Sequence, residues 1–188
     1  MIKKSVLLCI LLASLFLTGC YVQTDISVSK SDELSLENMI ISINAGGGDA
    51  VVEAAVRHAF NILGIRDKFE ISKFDPPEGF NMENYLRLKP FKPFPIKLIS
   101  NLGDKISITP VGDQKRLVWE IEQRNQVFID RFGGKNSKSS NEVFLVVKIT
   151  FPGPVDMANT LESDKNTYTW RITKEQLKEP FKIQAIYR

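Results

Sequence analysis

The sequence predicts an α+β fold: a curved, mainly antiparallel sheet of about seven or eight strands, with one principal helix packed on it. Three observations carry this expectation. Apolar and polar residues alternate with a period of two through residues 22–28 and 116–122, as they do in strands with one buried face, and residues 143–151 form a strand-length apolar run with apolar residues on its other face too. One stretch alone, residues 49–63, places its apolar side chains at the three- and four-residue spacing of a long amphipathic helix. The chain holds two cysteines, neither placed to brace a fold, so an apolar core of a single domain has to supply the stability.

The start of the chain is set apart from the rest. Lys3 and Lys4 precede an apolar run over residues 6–16, and Leu17-Thr18-Gly19-Cys20 follows. A charged start, an apolar centre and small residues at the cut site are the parts of a secretory signal. The apolar run is too short to cross a bilayer, which takes about 20 residues. Leucine, two small residues and cysteine in that order resemble the lipobox of bacterial lipoproteins. There the cysteine thiol receives a diacylglycerol and the leader is cut off ahead of it. Residues 1–19 are therefore expected to be a lipoprotein signal peptide, residues 20–188 a single domain, and Cys20 the lipid-attachment site.

Charge and cysteine usage narrow the partners. The two leader lysines account for two of the formal +3 of the full chain, which leaves +1 for residues 20–188. A nucleic-acid partner is disfavoured, because such domains show a strong basic excess or stripe. Cys9 lies in the leader and Cys20 is the expected acylation site, so no disulfide is expected even in an oxidising compartment.

The elements follow in order. Val22, Thr24, Ile26 and Val28 form a first strand starting within about four residues of Cys20, a tether of at most about 14 Å. A turn at Ser31-Asp32-Glu33 leads to a second strand through Met39, Ile41 and Ile43, paired with the first as a hairpin. Gly46-Gly47-Gly48 breaks the strand. Asp49 suits a helix N-cap, and Val52, Val56, Ala59, Phe60 and Leu63 make its apolar stripe. Gly64 suits the left-handed residue after the helix. The glycine run lacks both the Walker lysine and the G-x-G-x-x-G spacing, so it reads as a turn, not a phosphate cradle.

Residues 65–95 lose periodicity and become rich in Pro and aromatics, and the expectation is one long loop. Such a loop inside a compact domain is often functional. Phe80, Tyr85, Lys89, Phe91, Lys92 and Phe94 interleave rings with cations there. That mixture suits a membrane interface, where the ring sits among headgroups and the cation meets lipid phosphate. The alternative is that the rings close one end of the core while the lysines stay solvated. These six residues are the candidate membrane- or ligand-binding set.

Further strands are expected around Ile96 and Leu98, around Ile106 and Ile108 up to Pro110, and through Leu117, Trp119 and Ile121. A polar loop over residues 133–141 precedes the most apolar strand, residues 143–151, which is expected to be central. The chain then runs Phe151-Pro152-Gly153-Pro154-Val155, a polar turn with Asn159, a strand through Thr167, Thr169 and Trp170, and a last strand over residues 181–187. On Pro152, Gly153, Val155, Asn159 and Trp170 this order resembles the LppM-type domain of bacterial lipoproteins. The lipobox and the immediate first strand fit the same pattern. The resemblance implies a mixed α and β envelope domain, with lipid or glycolipid binding as the suspected role. The residues themselves read as structural: Pro152 ends a strand for want of a donor, Gly153 permits a sharp turn, and Trp170 offers a large surface to bury.

No constellation for catalysis is legible. His58 is the only histidine and lies in the expected helix. There is no G-x-S-x-G elbow, no H-E-x-x-H and no mature thiol beyond Cys20. No catalytic residue, metal site or cofactor is therefore expected. The expectation is a non-enzymatic lipoprotein in the cell membrane or outer membrane, facing the extracytoplasmic side. Its partners would be bilayer lipid through Cys20 acylation and a bound lipid or glycolipid. The alternative is an adaptor for another envelope protein.

Overall fold

The computed structural model describes residues 20–43, 48–73, 85–96, 105–121, 143–173 and 175–188; the expected signal peptide, Phe80 and the polar loop over residues 133–141 lie outside them. Strand β1 (Cys20–Val28) turns through Asp32 into antiparallel β2 (Leu34–Ile43). Asp32 has φ 65°, a left-handed conformation that a short polar side chain tolerates. Helix α1 (Gly48–Leu63) follows, and Gly64 at φ 65° ends it. A 3₁₀ turn, Arg66–Lys68, leads into β3 (Phe69–Lys73), then β4 (Tyr85–Pro90) and β5 (Phe94–Pro95). Strands β6 (Lys105–Val111) and β7 (Gln114–Ile121) form a hairpin with Gly112 at φ 64°. Strands β8 (Val143–Thr150), β9 (Val155–Ala158), β10 (Glu162–Asp164), β11 (Thr167–Thr173) and β12 (Phe181–Tyr187) complete the chain.

The expected α+β class is corrected by this arrangement. The protein is mostly β, with an eight-stranded and a four-stranded sheet and, among the described residues, a single α-helix of 16 residues. The larger sheet runs β10-β11-β8-β1-β2-β4-β3, with β5 also on β2, and the smaller runs β6-β7-β12-β9. Period-two alternation shows that a strand has a buried face but not what covers it. Leu117 and Ile121 of β7 and Ile183, Ala185 and Tyr187 of β12 bury that face in the same cluster as Val22, Ile26, Val147 and Trp170 of the larger sheet. A second sheet therefore covers ground that one helix was expected to cover. The helix does join this core, through Val56 and Phe60. Pairing is antiparallel except between β1 and β8, which run parallel.

The expected loop over residues 65–95 is corrected as well. Phe69–Lys73 and Tyr85–Pro90 are paired strands, and Phe94–Pro95 pairs with Ser35 and Leu36 of β2. Strand β4 lies between β2 and β3 and is buried at Tyr85, Leu86, Leu88 and Pro90. Leu86, Leu88 and Pro90 do alternate with Arg87 and Lys89, but over a run too short to stand out among the flanking prolines and aromatics.

The motif over residues 152–170 closes the two sheets on each other. Asn159, just past β9, accepts a hydrogen bond at Oδ1 from the Trp170 indole N–H at 2.8 Å and another from the Gln184 amide at 2.8 Å. Its Nδ2 donates to the Lys182 carbonyl at 2.6 Å. One side chain thus ties β12 of the smaller sheet to the buried Trp170 of the larger. At Gly153 a Cβ would run into the carbonyl oxygen of Arg188, whose amide donates to the Pro154 carbonyl at 3.0 Å. A second tie sits at the β1–β2 turn, where Asp32 pairs with Lys115 at 2.7 Å and accepts from the Tyr187 hydroxyl at 3.2 Å.

Candidate functional site

The site is built from the first residue of β1 outward. Cys20 opens the strand and pairs with Ile43 of β2, and β1 runs in the interior of the larger sheet between β2 and β8. The short tether expected before the first strand is therefore absent: the expected anchor is itself the first strand residue. Whatever holds Cys20 holds the sheet.

Strand polarity then sorts the rest of the molecule into two ends. Ile43, Tyr85 and Val143 lie at the Cys20 end of their strands, whereas the Asp32 turn and Phe151 lie at the far end. On the face of the larger sheet turned away from the core, Tyr21, Ile40, Tyr85 and Val146 form a second buried cluster beside that first residue. The Tyr21 and Tyr85 rings meet edge to face at 6.3 Å. Burial raises both phenols, Tyr85 to about 12, and each then feels charge from neighbouring groups. Both stay protonated at any physiological pH.

Further along this face the side chains become polar and hydrogen-bond to one another, although the Asn38 Oδ1 is buried without a partner among the described residues. The Tyr21 hydroxyl donates to Gln23 at 3.1 Å, Gln23 donates to Asp25 at 3.0 Å, and Asn38 donates to the other Asp25 oxygen at 2.9 Å. Arg171 forks onto Glu162 with two bonds of 2.8 Å. Hydrogen bonding from Arg171 lowers the Glu162 carboxyl, and the same bond raises the guanidinium. A carboxylate so held is not poised as a proton donor near neutral pH. Among the described residues no group of three His, Cys, Asp or Glu side chains could hold a metal ion.

The six loop residues singled out from the sequence part company. Tyr85 and Phe94 are buried, at 5% and 6% exposure. Tyr85 belongs to the outer-face cluster, and the Phe94 ring meets Phe69 at 5.0 Å in a tilted contact, which in turn meets Phe60 at 5.1 Å. Phe94 is thus packed in the main core and Tyr85 in the separate outer-face cluster. Phe91 is the opposite case, 66% exposed, and Lys89 and Lys92 beside it are exposed too. Register fixes how far that turn lies from Cys20. Phe94 pairs with Leu36, and Leu36 with Ile26, six residues along β1, which is roughly 20 Å at strand rise. The sheet thus puts Tyr85 at the Cys20 end and Phe94, with the Phe91 turn, six residues away along β1.

Asn159 and Asp32 are the residues whose weight sequence reasoning missed. Asn159 was legible only as one position of a motif, and Asp32 only as a turn residue, because their partners lie as far away as Gln184 and Tyr187. No helix among the described residues is long and apolar enough to cross a membrane.

No protein-family model matches this chain, and no curated protein matches it either. Among solved structures it is similar to the NMR structure of the folded domain of Mycobacterium tuberculosis LppM. The two are 13% identical, the match covers 91% of this chain and 90% of that one, and the TM-score is 0.46. That is the domain type which Pro152, Gly153, Val155, Asn159 and Trp170 resemble.

Proposed function

We propose that this protein is a non-enzymatic envelope lipoprotein, acylated at Cys20, whose β domain works as a binding module seated directly on the bilayer. One observation carries the reading: the residue that completes Leu17-Thr18-Gly19-Cys20 is also the first residue of an interior strand of the larger sheet. A diacylglycerol on that thiol would plant the sheet against the headgroups with no linker to let it wander. The apolar cluster of Tyr21, Ile40, Tyr85 and Val146 would then lie at the lipid end, and the polar part of the same face would rise into the aqueous phase. Within this reading the domain acts as an adaptor for another envelope component, because its exposed aromatic turn stands away from the anchor.

Lipid or glycolipid binding is the second reading, and what supports it is the Lys89-Phe91-Lys92 combination of ring and cation. The measurement for the anchor is incorporation of a labelled fatty acid in growing cells, with Cys20→Ser as the control. Label on the native chain and none on the variant, together with release of the variant from membranes, is the expected result. An unlabelled native chain overturns the proposal. Vesicle binding by the Cys20→Ser domain separates the two ligand classes: an adaptor binds phosphatidylglycerol vesicles no better than Phe91→Ser does, whereas a lipid binder loses that binding with the ring.

A further inference from the structure

We infer that the turn Pro90-Phe91-Lys92-Pro93 is a preformed docking knob for a protein partner with an acidic surface around an apolar notch. The inference deepens the adaptor reading above and rests on it for the height of the knob. An isolated exposed apolar residue is ordinary on a protein surface. What distinguishes Phe91 is how the turn that carries it is held. Pro90 and Pro93 flank the two tip residues and restrict φ on both sides. The Phe91 amide donates to the Lys68 carbonyl at 3.0 Å, which ties the tip to the turn before β3. Beneath it, Phe94, Phe69 and Phe60 pack ring to ring in the core. These three rings lie in the interior, while Phe91, three residues before Phe94, is held outside it at 66% exposure. A ring presented on a rigid turn costs little conformational entropy on binding, which is the property of an interface anchor.

Charge commits the partner. Lys68, Lys89 and Lys92 are exposed around the ring, against Asp67 and Glu70. The tip itself carries lysine only, so an acidic rim on the partner would meet it with complementary sign. Position argues for a protein in preference to the anchoring bilayer. The base of the turn is level with Ile26, six residues up β1 from Cys20, which is roughly 20 Å at strand rise. An upright domain holds Phe91 beyond the headgroups of its own membrane.

The test uses the full chain in the bacterium that makes it, with a photoreactive benzoylphenylalanine at position 91 or, as control, at the exposed His58 of α1. The expected result is a protein adduct of discrete mass at position 91 and none at position 58. Lys89→Glu with Lys92→Glu in the same chain, or raised salt on spheroplasts, is expected to cut that adduct at least about tenfold. An adduct to lipid, an adduct to a second copy of this chain, an adduct indifferent to charge reversal, or no adduct overturns the inference. Acyl label is read on the same samples, so loss of the anchor and loss of the docking knob are told apart.

Discussion

Replacing Asn159 with alanine tests whether one side chain holds the two sheets together. The substitution removes three hydrogen bonds, of 2.8, 2.8 and 2.6 Å, to Trp170, Gln184 and Lys182. Their losses differ in kind. Trp170 is 2% exposed, so its indole N–H is left desolvated and unpaired, a penalty of about 1–3 kcal/mol. The Gln184 amide and Lys182 carbonyl lie at an exposed site where water takes over part of the bonding, so each adds roughly 0.5 kcal/mol. The total of roughly 2–4 kcal/mol corresponds to a fall in Tm of about 4–15 °C for a domain of this size. Urea unfolding of the Cys20→Ser domain, followed by tryptophan fluorescence, measures it. Asn159→Asp keeps the acceptor for Trp170 and is expected to recover about half of the loss. The decisive arm is the double variant with Trp170→Phe, which has no N–H to orphan. Its cost is expected to fall below the sum of the single costs by about 1 kcal/mol or more. Additive costs, or a single-variant loss under about 0.5 kcal/mol, would refute the clasp.

Two further outcomes follow from the same geometry. Gly153→Ala puts a Cβ against the Arg188 carbonyl, and because the obstacle is backbone the end of the chain has to shift; a loss of about 1–3 kcal/mol is expected, and an unchanged urea midpoint speaks against the close approach. Burial raises Tyr21, Tyr85 and Tyr187 above the ordinary 10.0, Tyr85 to about 12. A raised folded pKa gives stability that is fully present below pH 10.0 and is lost as pH climbs through the folded value. Unfolding free energy measured from pH 9 to 12 should therefore decline above pH 10, and Tyr85→Phe should flatten the decline; a profile level to pH 12 contradicts the burial argument.

Much of the strand content was legible because strands with one buried face announce themselves. The β1–β2 hairpin, β7, β11 and β12 show period two, β8 shows a strand-length apolar run, and α1 shows its stripe and its terminal glycine. Two things were not legible. Strand β4 alternates only from Leu86 to Pro90, so Leu86 and Leu88 read as part of a Pro-rich aromatic stretch. The second sheet was hidden because Ile183, Ala185 and Tyr187 look the same whether a helix or a sheet covers them. At the candidate site, composition could not separate Phe91 from Phe94. Both directly follow a proline in the same dozen residues; only pairing with Leu36 sends one ring inward.

The placement of the ties gives the last step. Asp32 joins Lys115 and Tyr187 at the end of β1 away from Cys20, and Gly153 admits Arg188 near the same end. The Phe151 and Tyr187 rings meet there at 4.9 Å. The two sheets are thus locked together where an acylated Cys20 would hold the domain farthest from lipid. A load applied to the Phe91 turn passes through β5 and β2 into β1, the strand that starts at the expected anchor. Backbone ladders are stiff along that path and side-chain ties keep the second sheet from shearing away from it. Such an architecture would suit the proposed adaptor, because it fixes the distance between Cys20 and the Phe91 turn.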